Sequence, residues 1–530
     1  MKKNISIILK TEQDFVRHSA SDYKENAPLL NSLFDSISEI YIPLLNLFEK
    51  MCAEAIPAKL GLVLPPILCE LLDDIQIRKL YVEWLDKKIA LGKNELERCS
   101  SNELLCARIN AVIAANQAVK KDFCEKYNKS LVRAFAEYHK KGVVELIATT
   151  ATDIFMPHYA DLKEALTAQI ECGLHSYRCS FGEFPDGFWL PELGYFPGVE
   201  KYIRSYGFTY TILDARSFLL AQNAPSKGIF YPARTENSLI AFANDPYLDD
   251  ELYSENGYVN SDCYRNENRD IGFELSAAEL APFFEEGTVR YASGYKYWCR
   301  KSGSDDSCIY NPAAAFEKSA ADASDFLKKR SELLDKAAAL MPDNDFVSLV
   351  CTVNLTKLSS CWNECILWLE NILRKAPEFS LDVVPCNSML SGQFSLERFK
   401  PYYSSAAGEG YGENLLSSKN CWMMRYVRKA TERMLDLADR FPTDTGLKTR
   451  LLDIGTKELM IAQSSVLAKM IDADIFPEYC EKRFKNSIID FTKVFDSLGS
   501  NTVSTEWLTN LEEKDDFFHW MNYRVYSKKR

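Results

Sequence analysis

The chain has no long hydrophobic run, few histidines and no excess of positive charge. Its 530 residues include five histidines, and Lys plus Arg number 63 against 75 for Asp plus Glu, which gives a net charge of −12. This charge repels phosphate backbones and anionic membrane surfaces, and no apolar run reaches the length that crosses a bilayer. We therefore expect neither nucleic acid nor a membrane as a partner.

The cysteines and histidines lack the spacing of a metal site. Sixteen cysteines are present, none of them in a Cys-x-x-Cys pair, and the histidines are isolated from one another. Free buried cysteine behaves as a small apolar residue, and the apolar run after Lys3 is too short for a secretory signal. The sequence therefore predicts no metal, no cofactor and a reducing, cytoplasmic location.

What is present is the composition of a globular enzyme. Hydrophobic residues make up 47% and charged residues 26% of the chain, as in ordinary folded domains. The length is sufficient for two or three domains with a large core. The oligomeric state is not indicated by any pattern.

Short β-rich runs alternate with long helical stretches. This rhythm predicts a parallel α/β barrel, in which the residues just after each strand form the functional face. The runs are ISIIL after Asn4, LGLVL before Pro65, VVELIATT from Val143, GFWL from Gly187, FTYTIL from Phe208 and VSLVCTV from Val347.

Two changes of pattern divide the chain. Asp, Asn, Tyr and Gly become frequent after Asn244, which indicates an insertion over the barrel mouth, at about 244–345. Apolar residues at helical spacing then appear from Met423 to Ala438, Tyr426 among them. We expect a barrel domain over 1–400, including the insertion, and a C-terminal helical domain over 401–530.

One segment carries a specific resemblance. Gly187-Phe-Trp-Leu-Pro-Glu-Leu-Gly-Tyr195 resembles the nucleophile motif of glycoside hydrolase family 57, especially its α-glucan branching enzyme branch. Further segments resemble that branch in the same order, among them RDIGFE at 269–274, GYKYW at 294–298 and NYRVY at 522–526. The resemblance implies a (β/α)7 barrel with an inserted subdomain and a C-terminal α-helical domain, and an α-glucan or oligosaccharide as partner.

The resemblance also implies a retaining mechanism with two carboxyl groups about 5 Å apart. Glu192 stands at the nucleophile position. The position of the acid/base Asp on a later strand is taken by Asn354. An amide has no acidic proton near neutral pH, so it neither protonates a leaving oxygen nor activates an acceptor.

Other substrate-facing positions of the family are also replaced. Lys10 and Glu12 stand where the first-strand motif has histidines, with Asp14 at its proline; Asp153 and Arg216 stand at two further histidine positions. The Ser-Ser-Trp-Gly segment has become Ser-Ser-Ala-Ala at 404–407, which removes a ring expected to stack on sugar. The resemblance places the following residues at the substrate site: Lys10, Glu12, Asp153, Trp189, Asp214, Arg216, Trp298 and Trp362.

Three functions are compatible with these observations. The first is a catalytically impaired relative of the branching enzymes that binds α-glucan or regulates a partner. The second is an active retaining glycosidase or glucanotransferase of altered specificity, which uses Glu192 with a replacement acid such as Glu12, Asp14 or Asp153. The third is a non-enzymatic glycan-binding or assembly protein. For each candidate acid, lysine, arginine and tryptophan, a plain structural role as ion pair or core residue is the alternative.

Overall fold

The structure is a computed structural model that describes residues 1–16, 23–284, 290–300, 308–390 and 395–528. Within these ranges, none of the helices combines the length and the apolar character that a membrane crossing requires. The cysteines are all in the free thiol form.

The six β-rich runs all contain strands. Each is short and mostly buried, as expected for strands covered on both faces. The strands are β1 Lys2–Lys10, β2 Leu60–Val63, β3 Val144–Leu146, β4 Gly187–Phe188, β5 Tyr210–Leu213, β6 Ala233–Thr235, β7 Ile240–Ala243, β8 Phe346–Asn354, β9 Asp382–Val383 and β10 Arg398–Phe399.

Seven of these strands close into a parallel ring. β1 pairs with both β2 and β8, and β2 pairs with β3. A bridge between Ala148 and Phe188 joins β3 to β4, pairings join β4 to β5 and β5 to β7, and a bridge between Asn244 and Val350 returns the ring to β8. Because all these pairings are parallel, every strand ends on the same face, which we call the barrel mouth.

The predicted seven-stranded α/β barrel is thus confirmed, except that one of its strands was not predicted. That strand is β7, which comes directly before the expected insertion and, with four residues, is as long as β2 and β5. Outside the ring, β6 pairs antiparallel with β7 and parallel with β10, and β9 pairs with β1.

Helices surround the ring. They connect successive parallel strands, as crossovers in such barrels do. They are α1 Tyr23–Ser36, α2 Ile42–Ala53, α3 Pro66–Asp73, α4 Ile75–Arg98, α5 Glu103–Lys121, α6 Leu131–Lys140, α7 Lys163–Phe181, α8 Val199–Ser205 and α9 Ala215–Leu219 before the insertion.

The region after β7 is irregular and then helical. It contains α10 Leu248–Tyr253, α11 Ile271–Glu274, α12 Ala277–Leu280 and α13 Pro312–Leu340, followed after β8 by α14 Leu355–Cys361 and α15 Cys365–Lys375. The buried Asp270 carboxylate organises the irregular part by accepting hydrogen bonds from the backbone N–H groups of Gly272, Ser293 and Gly294, at 2.7, 2.7 and 2.8 Å. α13 packs against β8 and α15, so it belongs to the helical layer of the barrel.

The C-terminal region is helical, with α16 Cys421–Arg440, α17 Leu447–Ala462, α18 Ser465–Asp472, α19 Pro477–Ser500 and α20 Thr505–Lys514. The apolar stripe predicted on α16 is buried from Met423 to Ala438, except for Tyr426, which is exposed. This region contacts the barrel mouth: Ile154 bridges to Ser464, and the Asp153 carbonyl accepts a hydrogen bond from Ser465 N at 3.1 Å.

Candidate active site at the barrel mouth

Glu192 lies on a tight turn just after β4. Its backbone has φ 55° and that of Leu193 has φ 49°, both in the left-handed region that non-glycine residues seldom occupy. The turn is held from outside, since Ala406 N donates to the Glu192 carbonyl at 2.7 Å and Tyr195 N donates to the Ser404 carbonyl at 2.9 Å. Such strain persists only where the surroundings fix it, as at functional sites.

Lys10, Glu12 and Asn354 meet on the opposite part of the mouth. Lys10 and Asn354 are register partners at the ends of β1 and β8. Asn354 Nδ2 donates to Glu12 Oε1 at 2.8 Å, and Lys10 Nζ donates to the same oxygen at 2.9 Å. The amide oxygen of Asn354 caps α14 by accepting from Lys357 N at 3.0 Å. Both polar ends of the amide therefore have partners.

Lys469, on α18 of the C-terminal region, joins the two parts of the mouth. Its Nζ lies 2.8 Å from both carboxylate oxygens of Glu12 and 2.8 Å from Glu192 Oε1. Lys10 Nζ lies 3.6 Å from the same Glu192 oxygen. We call Lys10, Glu12, Glu192 and Lys469 the ion cluster.

The ion cluster is nearly enclosed and its charges balance. The Glu12 and Glu192 side chains are each 13% exposed, that of Lys10 is 5% exposed and that of Lys469 is 22% exposed. Burial alone would lower the pKa of both lysines, but the neighbouring carboxylates outweigh it and raise the pKa of each. Burial likewise opposes ionisation of Glu12, yet Lys10 and Lys469 hold the pKa of its carboxyl far below the usual range.

Asp153 lies beside the ion cluster with a different environment. Burial, with help from Glu12 and Glu192 and against the two lysines, raises the pKa of Asp153 to about 6. No donor in the described ranges reaches its Oδ1. Asp14 is similar, because burial raises its pKa to about 6 against the opposing charge of Arg483. Both aspartates line a cavity of about 10 Å³, which is just large enough for one water molecule.

Asp214 and Arg216 form a separate ion pair after β5. Arg216 Nε donates to Asp214 Oδ1 at 2.7 Å, and the same oxygen caps α9 through Arg216 N at 2.9 Å. The guanidinium also donates to the carbonyls of Ser405 and Glu409 at 3.0 and 2.5 Å. Arg216 thereby fastens a loop of residues 403–413 to the mouth, and it does not contact the ion cluster.

The three tryptophans differ in accessibility. Trp362 is 0% exposed and packs between Tyr264 and Trp368, with ring centroids at 5.1 and 5.5 Å, so its ring is a core residue. Trp189 is also buried, packed among strand residues inside the ring. Trp298 is half-buried under the Arg269 guanidinium, which lies 4.6 Å from its ring centroid. Neither Trp189 nor Trp362 presents an open ring face to solvent.

Comparison with known proteins identifies the family. Residues 6–336, more than half of the chain, match the sequence profile described as Glycosyl hydrolase family 57, and residues 426–526 match the profile described as 1,4-alpha-glucan branching enzyme, C-terminal. The chain belongs to glycoside hydrolase family 57.

Individual relatives extend over the whole length of this family 57 chain. The 1,4-alpha-glucan branching enzyme TK1436 of Thermococcus kodakarensis is 24% identical over an alignment that covers 98% of this chain and 78% of that enzyme. The α-amylase AmyC of Thermotoga maritima has a structure similar at a TM-score of 0.90, with 26% identity and all of both chains covered.

Two branching enzyme structures share the fold. The family 57 enzyme of Pyrococcus horikoshii gives a TM-score of 0.87 with 22% identity, over 100% of this chain and 98% of that one. The structure of TK1436 in complex with glucose gives 0.84 with 22% identity, over 100% and 97%.

Sequence reasoning about this family 57 member missed Lys469. It placed Lys10, Glu12, Asp153 and Glu192 on one face, and the structure brings these together. Lys469 lies in α18, an amphipathic helix, where a lysine is unremarkable. No spacing marks it, because its position over the mouth depends on how the C-terminal helices dock on the barrel.

Proposed function

We propose that the protein is a catalytically impaired member of family 57 that binds α-glucan or a related oligosaccharide in the cytoplasm. The observation that carries this proposal is the contact of Lys469 Nζ with Glu192 and Glu12, 2.8 Å from each carboxylate. Three features support impairment: the state of the attacking group, the lack of a proton carrier and the lack of space for a sugar.

The carboxylate at the nucleophile position, that of Glu192, is already hydrogen-bonded to a lysine. A carboxylate nucleophile must direct a free lone pair at the anomeric carbon. One of the two oxygens of Glu192, Oε1, accepts a hydrogen bond from Lys469 and lies within ion-pair distance of Lys10. A charge-assisted hydrogen bond of this kind stabilises the resting carboxylate and lowers its nucleophilicity.

The proton has no carrier at the family's acid/base position. Asn354 is an amide, and its N–H group is directed at Glu12 rather than at an open site. General acid–base help contributes about 10²–10⁴-fold to rate. Glu12 cannot substitute, because the two lysines keep it ionised and a proton donor must first carry a proton.

The space beside Glu192 is filled by protein. The side chains of Lys10 and Lys469 are largely buried against the two carboxylates. A pyranose ring poised for attack would have to displace at least one ammonium group and leave a carboxylate without its partner. Breaking a buried ion pair costs about 3–5 kcal/mol, which opposes a productive complex.

The test is an assay of the purified protein with amylose. We expect neither new α-1,6 branches nor new reducing ends above the level of a Glu192→Ala control. Robust turnover by the wild type, absent from that control, would overturn the proposed impairment. A matched repair series, Asn354→Asp, Lys469→Ala and the double variant, should give measurable turnover only in the double variant, because each single change leaves at least one of the three obstacles in place.

A second candidate is supported by the state of Asp153. With its pKa raised to about 6 and its Oδ1 free of donors in the described part of the chain, Asp153 is a carboxyl that could carry a proton beside Glu192. An active enzyme of altered specificity would then use Glu192 as nucleophile and Asp153 as acid. If a glycosidase activity is found with other sugars, it must disappear in both Glu192→Gln and Asp153→Asn.

A third candidate is an assembly protein that binds no sugar. It has the same ion cluster at the mouth as the first candidate. The two differ only in whether the protein binds sugar. Titration calorimetry with maltooligosaccharides separates the two, since heat of saturable binding supports the glucan-binding proposal and its absence supports an assembly role.

A further inference from the structure

Two tyrosines lie side by side on the rim of the barrel mouth. The rings of Tyr403 and Tyr411 are nearly parallel, at 5°, with centroids 5.9 Å apart. This separation is typical of offset stacking, in which each ring leaves part of its face uncovered. Tyr411 is 51% exposed and Tyr403 is half-buried. We call these two residues the tyrosine ledge.

The loop that carries the ledge is fixed by glycines. Gly408, Gly410 and Gly412 have φ values of +59°, +116° and +78°, which disfavour residues with a side chain. A Cβ on Gly410 would lie 2.0 Å from the Arg216 guanidinium, and one on Gly412 would lie 2.7 Å from the Phe155 ring. The loop therefore packs closely against Arg216 and Phe155 of the barrel, and Tyr411 lies between Gly410 and Gly412.

The ledge is attached directly to the turn of Glu192. The Ser404 carbonyl accepts a hydrogen bond from Tyr195 N, and Ala406 N donates one to the Glu192 carbonyl. Ala406 is itself small and exposed. The loop that carries the ledge is thus bonded to the turn of Glu192 at the barrel mouth.

The surroundings of the ledge suit a neutral, hydroxyl-rich ligand. Arg216 is neutralised by Asp214, and the Glu413 carboxylate accepts the backbone N–H groups of Glu409 and Tyr411. The carboxylates of Glu409 and Glu413 leave these surroundings with more negative than positive charge. Flat exposed rings with polar, hydrogen-bonding neighbours match the apolar faces and hydroxyl edges of glucose units. A polyanion would instead require uncompensated positive charge.

From these observations we propose that Tyr403 and Tyr411 bind a segment of α-glucan on the rim, outside the closed catalytic position. The proposal rests on the glucan binding contained in the proposed function, and it adds where on the protein the chain is held. The ligand lies across the ledge, with Tyr411 contributing more contact because it is more exposed.

The experiment is calorimetry with maltoheptaose on the full-length protein and its variants. We expect Tyr411→Ala to weaken binding about five- to tenfold and Tyr403→Ala about two- to fivefold, while Tyr411→Phe, which keeps the ring, stays within about twofold. Tyr426→Ala is the matched control, since Tyr426 is a similarly exposed tyrosine, 47%, on α16. Melting curves confirm that each variant is folded.

The outcomes separate the two proposals. If the wild type binds maltoheptaose and Tyr411→Ala binds it equally well, the ledge proposal is wrong and glucan binding occurs elsewhere. If the wild type does not bind, the glucan-binding part of the proposed function fails together with the ledge. If sedimentation shows that Tyr411→Ala instead abolishes a dimer without changing the affinity, the ledge is a self-association surface and the proposal is overturned.

Discussion

The two sides of the barrel mouth differ in backbone geometry. On the β4 side, Glu192 combines a carboxylate with a strained backbone at φ 55°. On the β1 and β8 side, the backbone register is regular, with Lys10 opposite Asn354, and the side chains are held by mutual hydrogen bonds to Glu12. Costly backbone geometry at one position of a barrel mouth can therefore face an unstrained, hydrogen-bonded cluster at another.

The largest expected effect on stability is that of removing Glu12, which has more partners in the ion cluster than Glu192. Glu12 accepts from Lys10, Lys469 and Asn354, whereas Glu192 has one close lysine and one at 3.6 Å. We expect Glu12→Ala to lower the free energy of unfolding by about 3–5 kcal/mol, because two buried ammonium groups lose their main partner.

Glu192→Ala should cost clearly less than Glu12→Ala, since it removes only one close ion pair and both lysines keep Glu12 as a partner. Urea unfolding monitored by tryptophan fluorescence measures both variants. Equal losses would show that the two sides of the mouth are held together by the cluster as a whole.

The second prediction concerns pH and Asp153. Its pKa is about 6 in the folded protein against about 3.9 in an unfolded chain, so the folded state binds more protons between these values. This contribution favours folding below about pH 4 and is lost as the pH rises through 6. We expect Asp153→Asn to gain about 1–3 kcal/mol in stability relative to wild type between pH 4 and pH 7.

Thermal or urea unfolding of both proteins across that range tests this expectation. Thr152→Val serves as a control, because it alters the neighbouring position without removing an ionisable group. A stability difference between wild type and Asp153→Asn that does not change with pH would contradict the raised pKa.

The third prediction concerns the substituted position. Asn354→Asp replaces a donor to Glu12, now at 2.8 Å, by a second carboxylate. Like charges at this separation repel unless one is protonated, so we expect a loss of about 1–2 kcal/mol at pH 8 that shrinks at pH 5. Unfolding at the two pH values is the measurement, and an unchanged stability would mean that Glu12 moves away easily.

The smallest expected effect on stability concerns the loop that is hydrogen-bonded to the turn of Glu192. Gly410→Ala places a Cβ against the Arg216 guanidinium at φ +116°, which should cost about 1–2 kcal/mol. Gly499→Ala is the matched control, since Gly499 is in α19 and a Cβ added there would meet open space. A Gly410→Ala variant as stable as that control would show that the loop relaxes freely.

Much of the fold follows from the sequence, since buried parallel strands have a distinctive pattern and the motif around Glu192 is specific. Six of the seven ring strands were predicted, and β7 was not. The assignment of residues 10, 12 and 354 as substituted site positions stays a prediction. The link between Glu12 and Glu192 could not be predicted, because it is made by Lys469, which reaches the mouth through the docking of the C-terminal helices.

That long-range contact has a consequence for any redesign of the mouth. Because Lys469 Nζ is bonded to both carboxylates, placing an aspartate at position 354 alone adds an acid to a centre that is still occupied. Removing the lysine alone leaves two carboxylates sharing the remaining charge of Lys10. The two positions are therefore coupled through Glu12, and a change at one alters the electrostatic cost of a change at the other.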